Sequence, residues 1–251
     1  MRADRAGVLT RAVDKVKRWS IRAKERVHSL PIRAAHTGPP IPPPHLLHAV
    51  GNSEDVTWFL GAGAEGAACL REVLERNGVV IEHLDAILDF GCGVGRVLRH
   101  FADLNGPALY GTDYNFELIA WCARNLPFAR FHLNGPEGRL AYEDEAFDVI
   151  YALSVFTHLA EPRQFFWIDE LSRVLKPGGH LFLTTHGEHY QPQLTAAEQE
   201  RFRQGRLVVL GARREGSNDC AAFHPEPYVR ETLARGLKAV DFLPEAARGN
   251  P

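Results

Sequence analysis

The chain has 251 residues, 45% hydrophobic and 24% charged, with a formal net charge of -2. That composition suits one globular domain of ordinary size with a sizeable core, and the near-neutral balance argues against binding nucleic acid through bulk charge, so no nucleic-acid partner is expected. Cys69, Cys92, Cys122 and Cys220 are scattered without a CxxC pair, which speaks against a disulfide framework or a zinc site. No apolar run approaches the roughly 20 residues of a membrane span, and no signal-peptide core is visible. A cytoplasmic protein is expected.

In chain order, the first 33 residues are rich in Arg and Lys, with Leu9, Val13, Val16, Trp19 or Ser20, Ala23, Val27 and Leu30 near helical spacing. This reads as a basic amphipathic helix. Three roles stay open: a helix that packs on the main domain or a partner or stays partly disordered, a weak membrane-surface contact, or a cleaved transit peptide. Asp4, Asp14 and Glu25 count against the last. "GPPIPPP", residues 38–44, then breaks any helix. The domain boundary is placed there, with 1–45 as helix plus linker and 46–251 as the main domain. A helix is predicted over Glu65–Asn77, stopped by Gly78.

From Ile87 short apolar runs alternate with helical patterns. Strands are predicted at Ile87–Phe90, Leu109–Thr112, Ala129–Leu133, Phe147–Leu153 and His180–Thr185, with helices near Gly95–Asp103, Phe116–Asn125 and Pro162–Leu175. "KPGG", 176–179, should end the last of these helices. Such alternation predicts an α/β, Rossmann-like fold: a mostly parallel sheet with helices on both faces.

"ILDFGCGVGRVLRHF", 87–101, turns sharply from strand to helix through three glycines. A P-loop needs Lys and then Ser or Thr after its last glycine, whereas Gly95 is followed by Arg96 and Val97. A dinucleotide fingerprint would need glycine where Arg96 stands, so a nicotinamide-dependent oxidoreductase is disfavoured. Asp113 ends the second strand 18 residues beyond Gly95, where a carboxylate can accept from both hydroxyls of a ribose. Asn134 ends the third strand and Ser154 the fourth, so polar groups terminate successive strands on one rim.

"LDFGCGVGR", "YGTDY", "FDVIYALSVFTHL" and "VLKPGGHLFLTT", in this order, resemble the motifs of class I S-adenosylmethionine-dependent methyltransferases. The chain is most similar to the bacterial group called type 11 or type 12, over Ile87–Thr185. The resemblance implies S-adenosylmethionine as cofactor, with Asp89, Gly91, Gly93 and Gly95 around its methionine and ribose portions. Asp113 would hold the ribose hydroxyls, Tyr114 would lie beside the adenine, and Asn134 would approach the adenine edge. Cys92 and Ser154 complete the cofactor-binding set, although Cys92 itself reads as a small buried residue.

The implied reaction is methyl transfer to an acceptor, expected to be a small molecule such as a sugar or a secondary metabolite; a catalytically silent binding subunit is the alternative. His158, in "SVFTHL", is the candidate general base, a role that contributes about 10²–10⁴-fold in rate. His186, His189 and His224 follow, and no metal is required. Residues 187–220 form an insertion predicted to cap the acceptor pocket. It should contain a helix opened by a Thr195–Glu198 capping box and a hairpin between "GRLVVLG" and "CAAFH". Trp58, Phe59, Tyr190 and Phe223 would supply apolar walls. Leu237–Leu243 resembles the family's sixth strand, and a seventh strand is not evident.

Overall fold

The computed structural model describes residues 21–245, so the predicted helix positions Leu9, Val13, Val16 and Trp19 or Ser20 lie outside the described residues. The chain divides into two compact units, Met1–Gly61 and Ala62–Pro251.

In the first unit, helix α1 covers 21–35. The proline-rich stretch interrupts it as expected, and α2, Pro44–Gly51, starts with proline at its first position, where the missing N–H costs nothing. Asn52, left-handed at φ 54°, closes α2 by donating its N–H to His48 O at 2.9 Å. Helix α3, Val56–Arg76, begins well before the predicted Glu65 and runs through Gly61, Gly63 and Gly66. Glycine disfavours helix by about 1 kcal/mol per residue, but here tertiary packing requires it. A Cβ on Gly63 would stand 2.2 Å from the Arg96 carbonyl oxygen, so only glycine allows α3 to lie against the segment that follows the glycine loop. Gly63→Ala is therefore expected to destabilise the fold by about 1–3 kcal/mol or more. An unchanged urea midpoint would refute that close approach.

The second unit is built on five parallel strands: β1 Ala86–Phe90, β2 Ala108–Asp113, β3 Ala129–Leu133, β4 Phe147–Ala152 and β5 Leu175–Leu183. Their order is β3-β2-β1-β4-β5. The direction of winding reverses between β1 and β4, which makes a crevice beyond their carboxyl ends the place for a ligand. The central strands are buried on both faces, hence their unbroken apolar sequence. Ala86, Leu88 and Phe90 pack with Trp167, Ile168, Leu171 and Val174 of helix α5, Glu161–Val174. Ile87, Val149 and Tyr151 face Ala67, Leu70 and Leu74 of α3 together with Leu98 and Phe101. Helix α4, Phe116–Asn125, links β2 to β3 and is capped by Asn115, whose side chain accepts from Glu117 N and Leu118 N.

Three expectations need correction. Gly95–Asp103 is not an α-helix: turns lead into one 3₁₀ segment, Leu98–Phe101. "KPGG" does not precede β5 but lies within it, and the strand ends at Leu183. The extra residues fit because pairing jumps from Phe147↔Leu175 to Val149↔His180, while Lys176 Nζ bridges Asp85 and Asp148 at 2.7 and 2.8 Å. Leu237–Leu243 forms no strand. Side chains anchor it instead: Asp241 meets Arg76 at 3.3 Å, and Arg230 stacks over Phe242 at 5.4 Å. A groove of about 1380 Å³ separates this segment from β5. The segment Val208–Leu210 lies outside the five-stranded sheet.

That last segment is β6, and it pairs antiparallel with β7, Ala221–Phe223, as the predicted hairpin. Helix α6, Ala196–Arg203, also appears where the capping box placed it, with Glu198 accepting from Thr195 N and Oγ1 at 2.8 and 2.7 Å. A parallel bridge joins His186 to Phe223 and sets the hairpin beside the end of β5.

Candidate active site

The three loop glycines are all left-handed, with φ of 74°, 55° and 68° at Gly91, Gly93 and Gly95, a region that L side chains adopt at a cost. Gly91 N and Cys92 N both donate to Thr112 O, at 2.8 and 3.0 Å, which folds the loop back over the end of β2. A Cβ at Gly91 would come within 2.4 Å of Val155. Asp113 is almost buried and accepts from Gly93 N at 3.0 Å and Asn115 N at 2.9 Å. A carboxylate has about four acceptor sites, and with the Tyr114 N–H also drawn to it acceptor capacity still remains for a ligand's hydroxyl.

Cys92 is buried with its thiol pushed well up by burial, and it fills space behind the loop. Its Sγ and that of Cys122 both approach Gly93 O, at 3.7 and 3.4 Å. Arg96 is also turned inward, 8% exposed and beside Asp89, so it offers no cation to a phosphate. A loop of bare backbone, no exposed cation and one carboxylate at the second strand suits an uncharged ribose better than a pyrophosphate. The residues present thus fit an adenosyl amino acid.

Further along the rim, Asn134 N donates to Asp113 O at 3.0 Å. Its side chain accepts from Thr112 Oγ1 at 2.8 Å and donates to Gly135 O at 2.9 Å, leaving one donor and one lone pair. Tyr114, Phe116 and Leu133 are 53%, 72% and 50% exposed, an apolar edge next to Asp113. Ser154 follows β4 in a left-handed conformation, φ 62°, with its N–H on Thr184 Oγ1 at 2.8 Å. Non-glycine residues held this way tend to cluster at functional sites.

Asp89, on β1, is fully enclosed, and burial raises its pKa to about 7; the Tyr151 hydroxyl and Arg96 pull it partly back. An unfolded carboxyl releases its proton near 4. Between those values the folded chain holds a proton that the unfolded chain does not, so this group's stabilisation falls as pH rises from 4 to 7 and is flat above. Asp89→Asn removes the effect. Relative to wild type the variant should gain up to about 1.4 kcal/mol per pH unit across that window. Parallel urea titrations that differ by a constant at every pH would refute this.

His158 ends the 3₁₀ turn Phe156–His158 after β4. Its Nδ1 lies 2.8 Å from Cys220 O. A carbonyl only accepts, so Nδ1 carries the proton, and in the neutral ring Nε2 keeps its lone pair. His186 repeats the pattern on Ala222 O at 3.1 Å, with its ring 4.5 Å from Tyr190 and 5.3 Å from Phe223. Burial lowers its pKa to about 4. Cys220 and Ala222 are two residues apart along the hairpin, so their carbonyls face one side and hold both imidazoles. His224 is buried and uncharged, its pKa lowered by burial to about 3. It meets Gln164 Oε1 at 3.2 Å, and Gln164 Nε2 donates to Leu159 O at 2.9 Å. It therefore braces the His158 turn from behind. His189 turns elsewhere, to Glu245 at 3.3 Å. Among the described residues no group of three or more His, Cys, Asp or Glu could hold a metal.

The insertion also crosses the rim. Gly216 N donates to His158 O at 2.8 Å, and Gly216 O accepts from Tyr114 Oη at 2.6 Å; Glu215 accepts from Ala160 N at 2.7 Å. Since β1 lies between β2 and β4, a residue tied to the ends of both crosses above the loop that follows β1. Sequence reasoning missed Gly216, Gln164 and the two hairpin carbonyls. Tyr190 and Phe223 are brought to His186, whereas Trp58 and Phe59 belong to the first unit, where Trp58 packs on Gly51.

A parallel sheet with this winding, a left-handed glycine loop after β1 and an acid ending β2 define a nucleoside-binding domain of the methyltransferase kind. Residues 88–183 match the family model described as Methyltransferase domain, which supports a class I S-adenosylmethionine-dependent methyltransferase. It is 34% identical over 98 residues to a sterol 24-C-methyltransferase of Schizosaccharomyces pombe, covering 37% of this chain and 25% of that one. It is 28% identical over 123 residues to the mitochondrial ubiquinone biosynthesis O-methyltransferase of Dictyostelium discoideum, covering 44% and 38%. A TehB-like methyltransferase structure from Corynebacterium glutamicum is 25% identical, covers 49% of this chain and 72% of its own, and gives a TM-score of 0.37. The chain thus spans from about a quarter to two fifths of the length of these curated relatives. S-Adenosylmethionine is the cofactor of this family.

Proposed function

We propose that this chain methylates a hydroxyl of a small-molecule acceptor held between the rim and the 187–220 cap, with His158 as general base. When bound, S-adenosylmethionine supplies an electrophilic methyl group on a sulfonium. Gly91, Gly93 and Gly95 would admit it against bare backbone, Asp113 would take its ribose hydroxyls, and Tyr114 and Asn134 would border its adenine. The protein's own contribution is alignment and exclusion of water. The Gly216 crossing serves the second of these. His158 Nε2 would receive the hydroxyl proton as the C–O bond forms and the methyl–sulfur bond breaks, the displaced group leaving as the neutral thioether.

The observation that carries this reading is the bond from His158 Nδ1 to Cys220 O, which leaves the ring's acceptor nitrogen as the one available for proton transfer. Tyr190 and Phe223 beside the uncharged His186 favour an acceptor with an apolar ring over a charged one. Sugars and secondary metabolites remain the first candidates. The sterol and ubiquinone names of the relatives add lipophilic hydroxyl compounds.

Calorimetry with S-adenosylhomocysteine and with NAD, followed by transfer of labelled methyl to a panel of these classes, tests the proposal. Tight homocysteine-nucleoside binding with turnover supports it. Binding without turnover on any class favours a silent subunit, and binding of NAD alone overturns it.

A further inference from the structure

Helix α1 packs the wrong way round for an amphipathic helix. Such a helix ordinarily buries its apolar stripe and exposes its polar one. Here Arg22, Glu25, Ser29 and Arg33 form the inward face of the first unit. Arg22 Nη2 meets His48 Nε2 at 2.7 Å, and Glu25 accepts from Ser53 Oγ and Glu54 N at 3.0 and 2.9 Å. Ser29 is buried and accepts from Val56 N at 3.1 Å. Arg33 Nη2 donates to Pro42 O at 2.8 Å. Arg26 forms an ion pair with the buried Glu54. These contacts fix the rotation of the helix about its axis.

The opposite face is apolar. Val27, Leu30, Pro31 and Ala34 stand at i, i+3, i+4 and i+7, the spacing of one helical stripe, and all four are exposed. Val27 is 68% and Leu30 62% accessible. Lys24 and His28 flank the stripe, also exposed. The sequence around it is strongly basic: residues 1–35 hold ten Lys and Arg against three Asp and Glu, a formal +7, so the remainder must carry -9 to give the overall -2.

From the outward apolar stripe and this charge we infer that α1 is a docking face for an anionic lipid bilayer. The stripe enters the boundary between headgroups and acyl chains while Lys24, exposed beside it, and the basic excess of the N-terminal sequence favour the negative surface. A hydrocarbon phase accounts for the stripe, and negative headgroups account for the basic excess. A second copy of the chain would satisfy the first but would set +7 against +7. The helix lies on the surface and does not cross it: among the described residues no helix is long and apolar enough to span a membrane.

Co-sedimentation of the whole chain with vesicles tests this, using phosphatidylcholine alone or phosphatidylcholine with phosphatidylglycerol. Binding is expected to the second and not the first, and to weaken with added salt as the surface charge is screened. Val27→Asp/Leu30→Asp, which leaves every inward contact intact, should weaken binding at least about tenfold, since carboxylates would have to enter an apolar layer. Its binding of S-adenosylhomocysteine, measured by calorimetry, should match wild type and so report an intact fold. Absence of binding to anionic vesicles, or equal binding by the double variant, would overturn the inference. So would sedimentation equilibrium showing a wild-type dimer that the variant breaks, with no vesicle binding by either protein.

Discussion

His158→Ala is expected to lower kcat by about 10²–10⁴-fold while leaving the affinity for S-adenosylhomocysteine unchanged. A hydroxyl is a poor nucleophile until its proton has a destination, and a neutral imidazole with one lone pair is suited to receive it. The structure specifies which nitrogen that is, because Cys220 O fixes the proton on Nδ1. The bonds from Gly216 N to the His158 carbonyl and from Gln164 to Leu159 O do not involve the imidazole, so the turn should survive its removal. His158→Gln separates the roles: it keeps a hydrogen-bonding group but has no basic nitrogen, and should be nearly as slow as the alanine variant. Steady-state kinetics with an identified acceptor decide the matter. A kcat within about threefold of wild type, with binding intact, would take proton transfer away from His158 and point to an acceptor that arrives already nucleophilic.

The second large effect is on cofactor binding. Asp113→Ala should weaken S-adenosylhomocysteine affinity by about 1.5–3 kcal/mol, the range for hydrogen bonds to a charged group, or roughly 10- to 150-fold. Two causes act together. The ribose hydroxyls lose their acceptor, and Gly93 N, which donates to Asp113 at 3.0 Å, loses the partner that holds the loop in its left-handed course. Burial raises the pKa of Asp113, and the N–H groups of Asn115, Gly93 and Tyr114 oppose that rise, so the charged form depends on the loop as much as the loop depends on it. Asp113→Asn keeps the shape and one acceptor oxygen, and should fall between wild type and alanine. Calorimetry that finds unchanged affinity in a folded alanine variant would remove Asp113 from the site.

Much of this domain was legible from sequence because its signals are local. The strands show as short apolar runs, since both faces of the sheet are covered, and β1 to β4 fall within a residue or two of their predicted positions. The loop was read from glycine spacing, and its three positive φ values are the physical content of that spacing. Asp113 and Ser154 were legible because each is the polar residue at which an apolar run stops. The Thr195–Glu198 box and the β6–β7 hairpin were visible for the same reason: each is settled within a few neighbouring residues.

What stayed hidden depends on residues far apart in the chain. Cys220 and Ala222 act through carbonyl oxygens, and since every residue has one, no residue type marks them. Gly63 and Gly66 look like helix breakers, and only the nearness of the Arg96 backbone to the first and of the Leu153 side chain to the second explains why α3 runs through them. Leu237–Leu243 has the pattern of a strand, but a strand also needs a partner edge, and Arg76 and Arg230 hold this segment away from β5. In α1, periodicity announces an apolar stripe without saying where it points. The amino-acid sequence by itself determined the alternation of elements, the shape of the nucleoside loop and the acid beside it, all products of short-range backbone geometry. Tertiary structure alone decided which nitrogen of His158 is free, what crosses the rim and which side of α1 meets the outside, because each of those follows from hydrogen bonds between segments that are distant in sequence.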